Sequence, residues 1–299
     1  MSKFYLMTDL EGVAGVYEWE ERGETDLVVF EQRMRQRRWL AREVSAAIEG
    51  FASGGAEEII VNDGHGAGYT IDLDELQPDL DEFFELEFDE EVGIPVFPPE
   101  PTVHVINGLD RPFWLPYLDG TCAATGIVGA HAKAQTLGGC LYHTMWLGVR
   151  DYSLNGISVG EMGLQAAIAG HFDVPFVFCS GDACACREIE ALIPGCVTVP
   201  VKTGLSRKSA MTLTPTKAQQ AIRAGAEEAM ARIEQVKPFK LDGPILFREE
   251  RMNPDFDAEN PPPHSRVVDC HTREIEATDM LDLMCILYGY PRDWQPFGD

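Results

Sequence analysis

Apolar residues in this chain fall in short runs, and several of the runs stop at chemically capable side chains. Phe4-Tyr5-Leu6-Met7 gives way to Thr8-Asp9-Leu10-Glu11-Gly12. Glu58-Ile59-Ile60-Val61 breaks into Asn62-Asp63-Gly64-His65-Gly66, and Thr125-Gly126-Ile127-Val128-Gly129 stops at Ala130-His131-Ala132. Short apolar runs bounded by Gly and polar clusters read as buried strands. Between the first two, a helix is predicted over about 30–51, closed by the stop signal Ser53-Gly54-Gly55. Strand, helix, strand makes a βαβ unit with a right-handed crossover.

The alternation continues downstream. A strand is expected over 139–146, and Asn155-Gly156 between alternating residues of 152–159 signals a type I′ hairpin. A helix over 160–171, a buried strand over 174–179, a helix over 183–193 and a strand over 196–201 follow. From about residue 205 the pattern changes. A long helix over 216–236 starts after Thr214-Pro215, where Pro suits the first helical position, and strands near Ile245 and Val267 precede a helix over 279–288. The reading is an α/β fold, with a mainly parallel sheet core and helices on both faces over 1–204 and a smaller C-terminal α+β lobe over 205–299. Residues 71–100, acidic with interspersed Phe and Leu, read as a surface insertion carrying a short amphipathic helix.

Charge narrows the partners. A net charge of −25 disfavours nucleic acid and anionic membrane surfaces, which call for a cationic face. No apolar stretch approaches the roughly 18 residues that span a bilayer. The N-terminal apolar run is too short for a signal peptide and an acid interrupts it. The eight cysteines lie mostly in apolar surroundings without paired metal-knuckle spacing, so they read as reduced thiols of a cytoplasmic protein.

Three strand ends bearing Asp9, Glu11, His65 and His131 suggest a metal site, because the carboxyl ends of parallel strands form the binding crevice. Asp9 and Glu11, two apart, point the same way at the strand's end, because side chains in a strand alternate faces. Glu161 joins them at a helix start, where backbone partial charge favours a carboxylate, and His143 lies in the apolar stretch Cys140-Leu141-Tyr142-His143-Thr144-Met145. Each residue also has an ordinary reading: loop-capping acids, a turn histidine between glycines, hydrogen-bonded core histidines, a first-turn helix carboxylate. Taken together, carboxylates and imidazoles suit zinc, manganese or iron better than a thiolate-bound metal. Five such ligands exceed one tetrahedral ion and fit two ions sharing a bridging carboxylate, with Asp9 as the natural bridge. Asp63 reads as a turn brace and Asp182 as a helix cap.

The segments Asp9-Leu10-Glu11-Gly12, Asn62-Asp63-Gly64-His65, Gly129-Ala130-His131-Ala132, His143-Thr144-Met145 and Val159-Gly160-Glu161-Met162-Gly163, in this order, resemble the zinc-dependent D-aminopeptidase family. The resemblance covers most of 1–210 and thins beyond it. It implies two zinc ions per chain (manganese, iron or cobalt being alternatives) held by Asp9, Glu11, His65, His131 and Glu161, with His143 as the catalytic histidine. It further implies a ring-shaped homodecamer acting on short peptide or amide substrates to remove N-terminal D-residues. The acidic segments after His65 are longer than the family pattern and would reshape the rim of the site. Two other readings keep the same residues: a metal-dependent amidase or phosphoesterase on a non-peptide substrate, and a non-catalytic metal-stabilised ring scaffold.

Overall fold

The computed structural model describes residues 2–23, 25–66, 68–80, 87–88, 95–96, 101–109, 111 and 113–292. The chain runs β1 (Lys3–Thr8), α1 (Leu27–Ser53), β2 (Glu58–Asp63), the two-residue strands β3 (Glu87–Phe88) and β4 (Pro95–Val96), β5 (Thr102–Ile106) and β6 (Ala124–Ala130). Then come β7 (Val149–Leu154), β8 (Ile157–Val159), α2 (Glu161–His171), β9 (Phe176–Asp182), α3 (Ala183–Leu192) and β10 (Val197–Ser206). The last elements are β11 (Ser209–Thr212), α4 (Pro215–Met230), β12 (Ile245–Arg251), β13 (Ser265–Asp269), β14 (Thr272–Ala277) and α5 (Met280–Tyr288).

The main sheet has seven strands in the order β11-β10-β9-β6-β1-β2-β5, parallel except for the β10–β11 pair. From β1 the chain winds outward through β2 to β5, then returns to β6 on the other side of β1. That reversal makes a topological switch point at β1/β6, where ligand crevices of open α/β sheets form. Helices cover both faces, as strand alternation demonstrates. Phe51 of α1 stacks on Phe4 at 3.8 Å and meets Phe178 edge-on at 5.3 Å. Gln165 of α2 bonds Thr125, and Met162 meets Cys179. Phe178 and Cys179 are adjacent on one strand, so their side chains point to opposite faces.

The second sheet is antiparallel, ordered β13-β14-β12-β7-β8. The two sheets interleave along the chain: the hairpin β7–β8 from the middle of the sequence joins the C-terminal strands, while α4 packs on α1 and β10 of the main sheet. Local signals account for many boundaries. Asp26 caps α1 through the amides of Val28 and Val29, and Gly55 turns the chain out at φ 95°. Pro215 opens α4. Asn155 and Gly156, at φ 49° and 81°, make the expected hairpin turn, which needs both residues left-handed.

Two expectations need correction. Residues 139–146 are not a strand but an irregular loop, apart from one isolated bridge between Thr144 and Trp146. Leu141 and Met145 are left-handed at φ 55° and 59°, which no regular strand accommodates, and the run is apolar because Cys140 and Leu141 are packed into the core. The long helix ends at Met230, not 236, and β3, β4, β5, β11 and β14 are additional to the strands expected. Of the acidic insertion, 71–80 forms turns and irregular chain, and most of 81–100, where the expected amphipathic helix would have to lie, falls outside the described residues.

Candidate metal centre

Strand register brings the centre together. Thr8 at the end of β1 sits beside Asp63 of β2 on one side and Val128 of β6 on the other. The chain just beyond these three ends carries Asp9, His65 and His131. After Thr8 the chain turns, so Asp9 and Glu11 share a cluster through the turn and not through strand alternation. The turn lies close on β6: the amide of Asp9 donates to Val128 O at 2.9 Å and that of Gly12 to Gly129 O at 2.7 Å. A Cβ on Gly12 would meet Ala130 O at 2.0 Å, so only glycine fits there.

All six residues singled out from the sequence converge here. One group is Asp9, Glu11 and His65; the other is His131, His143 and Glu161; in each, potential ligand atoms lie within 4.8 Å of one another. His65 Nδ1 stands 3.0 Å from both Asp9 Oδ1 and Glu11 Oε2. His131 Nε2 stands 3.3 Å from Asp9 Oδ2 and 3.2 Å from Glu161 Oε1. Asp9 thus turns one oxygen to each group. His143 Nε2 is farther from Glu161 Oε1, at 3.9 Å.

Backbone carbonyls select the tautomers. His131 Nδ1 lies 2.9 Å from Ala132 O and His143 Nδ1 lies 3.0 Å from Leu141 O. A carbonyl oxygen only accepts, so each Nδ1 carries the hydrogen, and a neutral ring then presents a lone pair at Nε2 toward the centre. The two rings stack at 3.9 Å, and Trp19 meets His143 edge-on at 5.2 Å, which leaves that imidazole little freedom.

Charge in this buried space is strongly biased. Burial disfavours a charged His131, but Glu161 and Asp9 outweigh it and raise its pKa to about 10. His65 is likewise opposed by burial yet driven well above its usual value by Glu11, Asp9 and Glu20. Burial opposes ionisation of Glu161, yet His131 brings it down to about 2, and Asp9 is also lowered against its burial by His131 and His65. His143 goes the other way: burial first, then the neighbouring His131, lower its pKa, so it stays neutral. Without a metal the carboxylates draw protons onto the imidazoles; a divalent cation takes the same field and displaces them. Glu11 Oε2 is buried and faces the His65 ring without a well-formed hydrogen bond, as suits an oxygen kept for a cation. Carboxylates and imidazoles in two groups around a shared Asp fit two zinc or related divalent ions.

Several contributors escaped the sequence reading. Glu20 Oε2 lies 3.3 Å from His65 Nε2, on the ring edge away from Asp9, and Arg22 pairs with Glu20 at 2.5 Å. A carboxylate behind a ligating imidazole orients the ring and raises its basicity. Lys202, buried on β10, donates from Nζ to the carbonyls of Glu11 and Val16, and Glu43 of α1 accepts from the Ala14 amide at 2.9 Å. Together they hold the loop after β1 from behind. Met145 N donates to Glu161 Oε1 at 2.6 Å. No motif spacing announces any of these residues, because each acts through a contact between distant segments. Asp63 braces the turn after β2 through the amides of Thr70 and Ile71, and Asp182 caps α3 while also accepting from the Cys140 amide, so both play the structural parts expected of them.

A switch-point crevice holding two carboxylate–imidazole groups around a shared Asp defines the class of dinuclear metallohydrolases. Within that class the chain belongs to the M55 peptidase family, described as D-aminopeptidase, whose model matches residues 2–82 and 95–288. It is 29% identical over 285 residues to the D-aminopeptidase of Bacillus subtilis (strain 168), covering 94% of this chain and 93% of that one. It is also similar to the solved structure of the Zn-dependent D-aminopeptidase DppA from Bacillus subtilis, described as a self-compartmentalizing protease. That match has a TM-score of 0.77 and 27% identity and covers 96% of each chain.

Proposed function

We propose that this chain is a dinuclear zinc aminopeptidase that releases N-terminal D-amino acids from short peptides or amides. The observation that carries the reading is Asp9, whose two oxygens face His65 and His131 at 3.0 and 3.3 Å. In this reading Asp9, Glu11 and His65 hold one ion, and Asp9, His131 and Glu161 hold the other. Two such ions supply Lewis acidity, which makes a water nucleophilic near neutral pH and polarises a carbonyl.

The chain's own residues do the rest. His143, neutral and fixed through Nδ1, accepts a proton at Nε2 from the attacking water and passes it to the leaving amine nitrogen. Trp19 and the stacked His131 keep that ring in place through the transfer. Family membership and the relatives' D-aminopeptidase descriptions support the substrate class.

The reading extends to a cytoplasmic homo-oligomer, a ring-shaped decamer as the family resemblance implies. Its support is the exposed group Leu137, Leu205 and Met211 near the β10–β11 edge. Among the described residues, no helix is long and apolar enough to cross a membrane.

The test is metal analysis followed by assay. Protein purified gently and incubated with zinc should hold about two equivalents per chain. Chelation should abolish hydrolysis of D-amino acid amides, and zinc should restore it. Asp9→Ala should lose more metal than Glu11→Ala, since a bridge serves both ions. A chain that binds no metal, or that hydrolyses only L-amides, overturns the reading.

A further inference from the structure

Beside the metal centre lies a cavity of about 290 Å³. Asp9, His65, His143 and Glu161 contribute to its lining, and so do Arg111 and Tyr288. Its charge is divided. Among the described residues, Arg111 is the one Lys or Arg that lines it, and the other ionisable groups there are carboxylates, imidazoles and a phenol. Arg111 Nη1 donates to Asn62 Oδ1 and to Asp63 O, both at 2.7 Å. Both acceptors are uncharged. The guanidinium is thereby held in place at the end of β2, and the charge of the nearby Asp63 carboxylate acts on it through space. Tyr288 lines the same cavity, and burial is the main cause raising its pKa.

We propose that Arg111 anchors the free C-terminal carboxylate of a short peptide substrate, an inference that rests on the aminopeptidase reading. A short peptide is a zwitterion, with an ammonium group at one end and a carboxylate at the other. The metal centre would engage the scissile end of such a substrate, and the same cavity lining offers a held guanidinium to the carboxylate at its other end. Guanidinium matches carboxylate in planar, charge-assisted fashion, and pre-positioning by Asn62 and the β2 end lowers the ordering cost of that contact. The small volume limits the distance between the two ends, which selects short peptides over long ones. Arg111 therefore acts in substrate binding and touches no bond that breaks.

The test compares D-alanyl-glycine with D-alanyl-glycinamide, which differ only in the C-terminal charge, on zinc-loaded wild type, Arg111→Gln and Arg111→Lys. Wild type should prefer the free acid. Arg111→Gln should lower kcat/KM for the acid by about 10- to 100-fold, chiefly through KM, and leave the amide within about 3-fold. Arg111→Lys should recover part of the loss on the acid, since it restores charge without the fork. Equal losses on both substrates would assign Arg111 to bracing Asn62 and the β2 end, and no loss on either would remove it from binding altogether; each result overturns the proposal. Loss of the acid preference in wild type itself would do the same. A wild type that cleaves neither substrate while holding two metal ions would instead bring down the aminopeptidase reading, and the Arg111 proposal with it.

Discussion

Among single residues, His143 is the sharpest case. It belongs to the same group as His131 and Glu161, yet stands farther from Glu161 than His131 does, at 3.9 against 3.2 Å. Its pKa is pushed down, first by burial, while that of His131 is raised, so the two stacked imidazoles are suited to different work. His143→Ala should keep both metal ions and the fold while lowering kcat by about 10²- to 10⁴-fold, with KM little changed. In wild type the acid limb of kcat/KM should fall below pH 6.5, the ordinary imidazole value, and the variant should lack it. Metal analysis and a pH–rate profile on the same preparations check both points. Loss of an ion from the variant would make His143 a ligand. The residue type and its apolar setting were legible in the sequence. Its seat was not: a strand over 139–146 was expected, and the loop that carries His143 is instead held by contacts from Asp182, Arg207 and Ala132.

At the scale of elements, the loop after β1 depends on its neighbours. Lys202 of β10 and Glu43 of α1 both grip it, and neither strand nor helix alone could fix the position of Glu11. Burial raises the pKa of Glu43 from 4.5 to about 7, against the opposing pull of its hydrogen bond from Ala14 and the nearby Lys202. A carboxyl whose pKa is higher in the folded than in the unfolded chain favours folding fully below about 4.5, and that contribution is lost as pH rises through about 7. Glu43→Gln, which mimics the protonated acid, should match wild type near pH 4.5 and become the more stable of the two by pH 8. The difference should be on the order of 3 kcal/mol. Denaturant melts of both proteins across that window check it, and parallel stability curves would show that Glu43 ionises freely. Sequence patterning located α1 to within a few residues, because its cap and glycine stop are local. That its buried face would carry an acid aimed at the β1 loop was not readable, since a lone Glu in a helix looks like any surface charge.

For the whole molecule, assembly is the open consequence. Leu137 and Leu205 lie on segments that touch, for a Cβ on Gly204 would stand 2.5 Å from Gly138 O, and Met211 is on the adjoining strand. An apolar group of this kind on an otherwise highly charged protein suits contact with a second copy. Light scattering at micromolar concentration should therefore return a multiple of the 33.1 kDa chain mass. A monomer would remove the assembly proposal and leave the metal centre untouched. The cavity lined by Arg111 and the metal-site residues is also a property of the whole molecule, since it gathers residues from both ends of the chain.

What the sequence determined by itself was the central strands of the main sheet and the chemistry at their ends. Apolar runs with local stop signals specify strands, parallel strands bring their carboxyl ends together, and Asp9, His65 and His131 therefore had to meet. Glu161 was legible for a similar reason, since a helix start has a definite place relative to the preceding hairpin. Only the tertiary structure decided that Glu20 stands behind His65, that Lys202 secures the Glu11 loop, that Arg111 enters the cavity, and that a mid-chain hairpin completes the second sheet. Those arrangements depend on register and packing between segments far apart in the chain, and neither hydrophobic period nor turn chemistry extends over that distance.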